Sequence, residues 1–487
     1  LATGSTPFFR KKSCVNRLPL EAIAAAAAAF HGGWANARAA FEVRLARWPR
    51  HHGFFHLEGI DALLDALEAF HLPEDAAARL VAERILTPEA RDSFGDLRLA
   101  LDVDAVRDGE IVFPGEPVVV VEGPFAQALL AASLAAKFLE EPTLAATRTA
   151  RAVLAAGDAV VLAAPAQAKD PAAVTRAAYI GGAEGGLSFA AAEAHGVPWV
   201  ALLSAGSMLG APSGLQALVG WLAGNPEQIA FPLGAAGFPA LLQALVEAVR
   251  AKCEASWSPP AVLLALAPED APDLAVRIHQ AFEAAELPAP RILVGPVADE
   301  LEVRRLGLEG VGVSGFLFDP IGSRGELAAE ALLFQPSLVA IEEAGRWAPR
   351  IEAGARIADA SDPGRKVILR YFDEAGAPLC DVVHGTREKM QPAREVAFVD
   401  RESGLPVRLR AHRSQVLLGK VLRAGKRIHP REPIAFVRAR ATASRNALHE
   451  GQRRLVAPAP YPVGLTDALV AEKNELLADL LDARSEK

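Results

Sequence analysis

A run of alternating strand and helix patterns joined by short glycine turns leaves a chain few folds to choose from. Thr143–Leu209 is such a run. Its spacing predicts a helix over Thr143–Ala156, a strand over Ala159–Ala164 and a helix over Ala172–Tyr179 that stops at Gly181-Gly182. The turn Gly182-Ala183-Glu184-Gly185-Gly186 then opens another helix, and Gly196-Val197-Pro198 leads into the apolar strand Trp199–Leu203. This alternation is the pattern of a parallel α/β layer or barrel. In such folds the chemistry sits at the carboxyl ends of the strands. Here those ends read Ala164-Pro165-Ala166-Gln167 and Ser204-Ala205-Gly206-Ser207, without a charged, metal-binding or imidazole group.

Further β-α steps follow. Strands are expected at Ala261–Ala267, Arg291–Val294 and Val313–Phe318, with helices at Pro272–Ala285 and Glu300–Leu306. They imply a barrel of at least five strands. Before the run, Leu20–His31 and Gly59–Phe70 read as helices, Ala40–Arg47 as a strand and Phe125–Phe138 as a buried helix. After about Arg350 short strands precede two helical stretches, Glu432–Glu450 and Thr466–Ala483. The expected organisation is a disordered lead-in over 1–16 and an amino-terminal part over 17–130. A barrel over 131–346 follows, then a carboxyl-terminal part over 347–487 that packs with the amino-terminal one.

With 487 residues the chain can bury cores for two or three domains. A net charge of -8 gives no general attraction to nucleic acid or anionic membrane. The charge is uneven, with 17 Lys/Arg against 6 Asp/Glu between Thr386 and Leu455. Aromatic interleaving is nearly absent there, so a solvated surface is expected rather than a nucleic-acid site. Cys14, Cys253 and Cys380 form no pairing pattern and point to a reducing, cytoplasmic setting. No apolar run reaches the roughly 18–20 residues that span a bilayer.

Several motifs have bland readings. Gly310-Val311-Gly312-Val313-Ser314-Gly315 fits GxGxxG, but a strand follows where dinucleotide binding needs a helix. His51, His52 and His56 have no carboxylate or thiol near them in sequence, so solvated loop histidines are expected and no metal site is assigned. His195 before Gly196 suits a helix end as a cation. Asp270 and Asp273 flank a helix start, where N-capping competes with a functional role for Asp270 near a strand end. The Gly182–Gly186 turn could offer free N–H groups to a phosphate.

Across about residues 17–485 the chain resembles the nicotinate phosphoribosyltransferases. The resemblance is carried by 40–47 and 54–70, by Ile111-Val112-Phe113-Pro114-Gly115-Glu116-Pro117 through Pro124, and by Thr143–Arg151. Ala177-Ala178-Tyr179-Ile180-Gly181-Gly182, Gly196-Val197-Pro198, Asp299-Glu300 and Pro458–Val463 add to it. It implies a type II phosphoribosyltransferase fold: an irregular α/β barrel with a second α/β domain built from both termini. It also implies a dimer, and condensation of nicotinate with phosphoribosyl pyrophosphate. That reaction is driven by ATP through a phosphorylated histidine, with magnesium.

Each of those steps needs charge, and the chain departs where the charge would be. An Arg-Arg-Ala-(His/Gln)-Gly pattern meets Ala164-Pro165-Ala166-Gln167-Ala168. The pattern bearing the histidine meets 201–206, with Ala205 at the nucleophile. Arg-(Leu/Ile)-Asp-Ser-Gly-Asp meets 265–270 and keeps only Asp270. The Gly-(Val/Ile)-Gly-Thr phosphate loop meets Leu317-Phe318-Asp319-Pro320. Losing one transition-state donor typically costs on the order of 100- to 1000-fold in rate. Two readings follow. In one, the chain has lost catalysis and serves as a pseudoenzyme, a regulatory partner of an active paralogue or a sensor of a nucleotide or phosphoribosyl ligand. In the other, it is an active phosphoribosyl-transfer enzyme needing Mg2+ and ATP. Its residues would then be displaced, with Asp270 and Gln167 as catalytic candidates. Gly182, Gly185, Gly186, Ser188, Lys169 and Ser204 would be anion-binding, with Asp319 a further candidate.

Overall fold

The structure is a computed structural model that describes residues 17–49, 51–95, 97–166, 168–202, 229–233, 238–254, 263–309, 312–322, 333–352, 360–389 and 394–485. It opens with α1 (Leu20–Gly32), β1 (Arg38–Arg47), α2 (Ile60–Glu68), β2 (Asp102–Ala105) and β3 (Pro117–Pro124), with β3 antiparallel to both β1 and β2. The helix α3 (Phe125–Ala156) follows as one continuous element that runs through Pro142. The sequence pattern predicts two helices here, because an interior proline removes a hydrogen bond and crowds the preceding turn. Pro142 and most of its neighbours are buried, so tertiary packing of a helix buried nearly all round outweighs that local cost.

The barrel is built from β4 (Val160–Ala163), α4 (Pro171–Gly181), β5 (Gly185–Gly186), α5 (Phe189–His195), β6 (Ala201–Leu202), β7 (Ile229–Leu233) and α6 (Phe238–Glu254). It continues with β8 (Leu263–Leu266), α7 (Ala271–Ala284), β9 (Arg291–Val297), α8 (Glu300–Leu308) and β10 (Gly315–Phe318). The sheet order is β5-β4-β10-β9-β8-β7-β6, with every pairing parallel. A parallel bridge between Gly186 and Trp199 joins the two edges. The Gly186 N–H donates to Pro198 O at 3.0 Å, and the Val200 N–H donates to Gly186 O at 3.0 Å. The seven strands therefore close into a ring in chain order. Side chains alternate across the strands. Leu162, Ala164, Leu293 and Leu317 pack together on one side with Leu187 and Val200. Val161, Ile292, Val294, Phe316 and Phe318 pack on the other with residues of α6, α7 and α8.

The closing glycines have a steric reason. A Cβ on Gly185 would lie 2.5 Å from Pro198 O, and one on Gly186 would lie 2.5 Å from Thr175 Cγ2. At Gly185 only glycine lets the two edges approach this closely, and at Gly186 only glycine leaves room for Thr175 of α4.

The carboxyl-terminal part adds β11 (Leu333–Glu343), β12 (Arg346–Pro349), β13 (Lys366–Phe372), β14 (Pro378–Gly385), β15 (Val396–Asp400), β16 (Pro406–Leu409), β17 (Arg413–Val416), β18 (Gly419–Arg423) and β19 (Lys426–Arg427). It ends with α9 (Ile434–Ala447), β20 (Val463–Leu465) and α10 (Asp467–Ser485). Strands β11, β12, β18 and β19 complete the first sheet, in the order β12-β11-β1-β3-β2-β18-β19. The other strands form a sheet ordered β16-β15-β20-β14-β13-β17. Its outermost strands, β16 and β17, are joined by residues 410–412 alone. A flat sheet would hold them about 24 Å apart, whereas that link spans at most about 15 Å. The sheet must curl, and Tyr371, Cys380, Phe398 and Ala411 pack inside the curl.

The boundary expected near Leu130 falls inside α3, and the one near Trp347 falls inside β12. The uneven charge has a structural outlet beyond a solvated surface. Arg423 pairs with Asp104 at 2.6 Å, Arg427 with Asp61 at 2.9 Å and Arg431 with Asp65. Basic carboxyl-terminal side chains thus bind acidic amino-terminal ones. No helix among the described residues is long and apolar enough to cross a membrane.

Candidate active site

The carboxyl ends of the barrel strands form a mouth. At β4 it presents Ala164, Pro165 and Ala166, with Ala164 buried. At β10 the strand ends with Phe318, so the turn is Asp319-Pro320-Ile321-Gly322. Gly322 has a φ of 77°, the left-handed conformation that favours glycine. A second placement of the phosphate-loop pattern, on Pro320-Ile321-Gly322-Ser323, keeps the aliphatic residue and the second glycine. Ser323 lies outside the described residues. Pro320 still removes one N–H.

The donors that remain in the turn are engaged by the chain itself. Asp319 Oδ1 accepts from the Ile321 N–H at 3.1 Å and the Gly322 N–H at 3.4 Å. The Ala166 N–H of the β4 turn donates to Ala164 O at 2.8 Å, and the Ala166 backbone lies close enough to the carboxylate to favour its charged form. Asp319 is 6% exposed, and two-residue alternation from Leu317 aims it into the mouth. Burial pushes its pKa up, while these bonds and the nearby Arg148 oppose the shift.

Arg148 and Arg151, two turns from the end of α3, are buried beside the mouth. Arg148 donates to Ala298 O, lies 3.5 Å from Glu300 Oε1 and sits over the Phe318 ring. Arg151 lies 3.6 Å from Glu300 Oε1 and donates to His51 O at 3.2 Å and Leu455 O at 2.9 Å. Sequence reasoning used both arginines for resemblance without giving them a site role. Their signal was two cations inside the alanine-rich run Leu144–Ala156, where burial demands partners.

The other candidates scatter. Asp270 occupies the N-cap position of α7, half-buried, without a side-chain capping bond. Ser188 caps α5 by accepting from the Ala191 N–H at 3.3 Å. Lys169 is exposed. Gln167, Ser204 and the histidine-equivalent Ala205 lie outside the described residues, as does Gly310 of the GxGxxG match. The glycine turn is not a free anion cradle. The N–H groups of Gly182, Ala183, Glu184, Gly186 and Leu187 all donate to backbone carbonyls, while Arg438 and Arg445 donate to the carbonyls of Gly182 and Gly181. These glycines end α4 and close the barrel.

The histidines also differ from expectation. His52 and His56 are buried rather than solvated. Desolvation, then the Arg151 charge, lowers the pKa of His52 well below the usual value. Desolvation, then the Arg445 charge, brings that of His56 to about 3. His195 ends α5, but partial burial and then Arg176 lower its pKa, so it is a poor helix-end cation. An unfolded histidine binds a proton below about pH 6.5, and folded His56 refuses it down to about 3. Its contribution to stability is therefore complete above pH 6.5 and lost on acidification, by about 1.4 kcal/mol per pH unit. Urea unfolding of His56→Phe should show a smaller loss between pH 7 and pH 5 than the parent. Equal slopes would refute the assignment.

Comparison with known proteins agrees with this architecture. The family model described as the nicotinate phosphoribosyltransferase C-terminal domain matches residues 365–473, the region that begins with the curled sheet. Human nicotinate phosphoribosyltransferase is 27% identical over 517 residues, covering 92% of this chain and 94% of that protein. Over most of its length the chain is similar to the nicotinate phosphoribosyltransferases. A nicotinate phosphoribosyltransferase of Mycobacterium tuberculosis is 33% identical over 175 residues. That match spans 35% of this chain and only 39% of the relative. The crystal structure of human nicotinic acid phosphoribosyltransferase superposes with a TM-score of 0.77 at 23% identity, covering 94% of this chain and 99% of that one. Nicotinate-nucleotide pyrophosphorylase from Pyrococcus furiosus gives 0.65 at 16%, covering 91% and 99%. Both likenesses show the type II phosphoribosyltransferase fold, an α/β barrel with a second α/β domain.

Several residues that carried the resemblance have structural roles. Thr143 Oγ1 accepts from the Glu58 N–H at 3.1 Å, and Thr147 Oγ1 accepts from the His56 N–H at 3.0 Å. Glu116 accepts from the Phe113 N–H at 3.1 Å, folding the Pro-Gly-Glu-Pro corner on itself.

Proposed function

We propose that this relative of the nicotinate phosphoribosyltransferases does not catalyse the family reaction, and acts as a homodimeric regulatory partner or ligand sensor. The observation that carries the reading is the inward Asp319 carboxylate, bonded to the loop N–H groups opposite an apolar Ala164-Pro165-Ala166 turn. Two like charges about 4 Å apart repel by about 4 kcal/mol at an effective dielectric of 20, roughly a thousandfold in binding. Both substrates of the family reaction are anions. Magnesium and ATP would serve an active enzyme; one oxygen of Asp319, the carboxylate of the mouth that could meet a metal, is already held by the loop N–H groups.

The test is to incubate the purified chain with nicotinate, phosphoribosyl pyrophosphate, ATP and magnesium and to measure pyrophosphate. Release indistinguishable from the nicotinate-free control is expected. Nicotinate-dependent release at rates of the order of 1 per second, ordinary for enzymes, would sink the reading in favour of an active enzyme with displaced residues.

A further inference from the structure

The mouth holds an anion site whose occupant is part of the chain. Its donors are the N–H groups of Ile321 and Gly322 after β10, with the backbone of Ala166 after β4 nearby. Its cation comes from a third element, since a Cβ on Gly322 would lie 2.5 Å from Arg148 Nη1. Arg148 is itself buried and anchored by Ala298 O and Glu300. Backbone N–H groups around a left-handed glycine, facing a guanidinium, form a concavity suited to an anion. We infer that Asp319 is a built-in ligand that keeps this cradle closed to soluble phosphate and carboxylate anions, and that removing its side chain opens the cradle to them.

The geometry favours occupation over an isolated turn. A local Asp turn needs only the two N–H groups that follow it. Here the carboxylate also stands beside the β4 turn and a buried arginine, so its removal leaves a positive, donor-lined hole. Charge and size then set what can enter. Formate reproduces the lost carboxylate, and orthophosphate adds charge and two further oxygens for Arg148.

This inference concerns the mouth discussed above but does not require absent turnover. Nicotinate-dependent pyrophosphate release by the parent chain would end the non-catalytic reading without touching the binding result. The experiment titrates the full chain and Asp319→Ala with sodium formate and with inorganic phosphate at constant ionic strength, reading heat of binding and thermal midpoint. Asp319→Ala should melt lower than the parent and recover several degrees in formate. It should bind phosphate at least tenfold more tightly than the parent. Asp319→Asn, which keeps an oxygen on the same N–H groups, should show neither gain. Adding Arg148→Gln to Asp319→Ala should abolish the phosphate gain. Equal affinity in parent and Asp319→Ala would overturn the inference, as would an equal gain in Asp319→Asn. If Asp319→Ala folds only in formate, the inference stands; if formate does not restore folding, it fails.

Discussion

Replacing Arg370 by alanine should destabilise the chain by about 3–5 kcal/mol at pH 7, because it strands a fully buried carboxylate. Arg370 Nε donates to Asp381 Oδ1 at 2.9 Å, Nη2 donates to Oδ2 at 2.5 Å, and Nη2 also reaches Ile111 O at 2.9 Å. Tyr461 donates its hydroxyl to Asp381 at 2.8 Å while its ring stacks on Phe113. Glu116 lies in the same pocket, and desolvation followed by the Asp381 charge raises its pKa well above the usual value. A carboxyl group with a raised folded pKa stabilises the fold below its unfolded pKa, and that stability is lost as pH rises through the folded value. Without Arg370 the proton on Glu116 matters more, so the loss should shrink from pH 7 to pH 5. Calorimetric thermal midpoints at both pH values check this. A variant whose deficit is the same at both would remove Glu116 from the account.

Gly185→Ala should cost about 1–3 kcal/mol, toward the upper end, because the atom its Cβ meets at 2.5 Å is the backbone oxygen of Pro198. A flexible side chain could swing away, but the Pro198 carbonyl is held by the Gly186 N–H at 3.0 Å. The strain therefore falls on the bridge that closes the barrel. Hydrogen exchange at Gly186 and Val200 should accelerate in the variant more than exchange at Leu293 or Phe316 on the far strands. Uniform acceleration would mean that the barrel loosens as a whole rather than at its seam.

The order of strands and helices in the barrel was legible because apolar strand runs and glycine punctuation are local signals. The seam at which it closes was not, since nothing in Gly186 or Trp199 alone announces that they meet. The single helix α3 was missed because the proline rule is local and the burial that overrides it is not. An apolar run such as Gly315–Phe318 does not reveal where its last strand residue lies, so the start of the loop after β10 is fixed only by the structure. The glycine turn was read as an anion site from its composition, whereas its N–H groups complete the barrel and an α4 cap. Arg148 and Asp319 lie far apart in the chain, so their proximity carries no local signal.

The first sheet draws β1 from residues 38–47 and β18 from residues 419–423, with the whole barrel inserted between them in sequence. During synthesis, then, the ribosome releases the amino-terminal strands long before their last partners exist. At about 5–20 residues per second, the interval from β1 to β18 lasts tens of seconds. The exposed strand edge must wait through that time, while the barrel can close as soon as β10 emerges. The early strands pair with one another, but the edges they offer to β11 and β18 are covered only when those strands emerge.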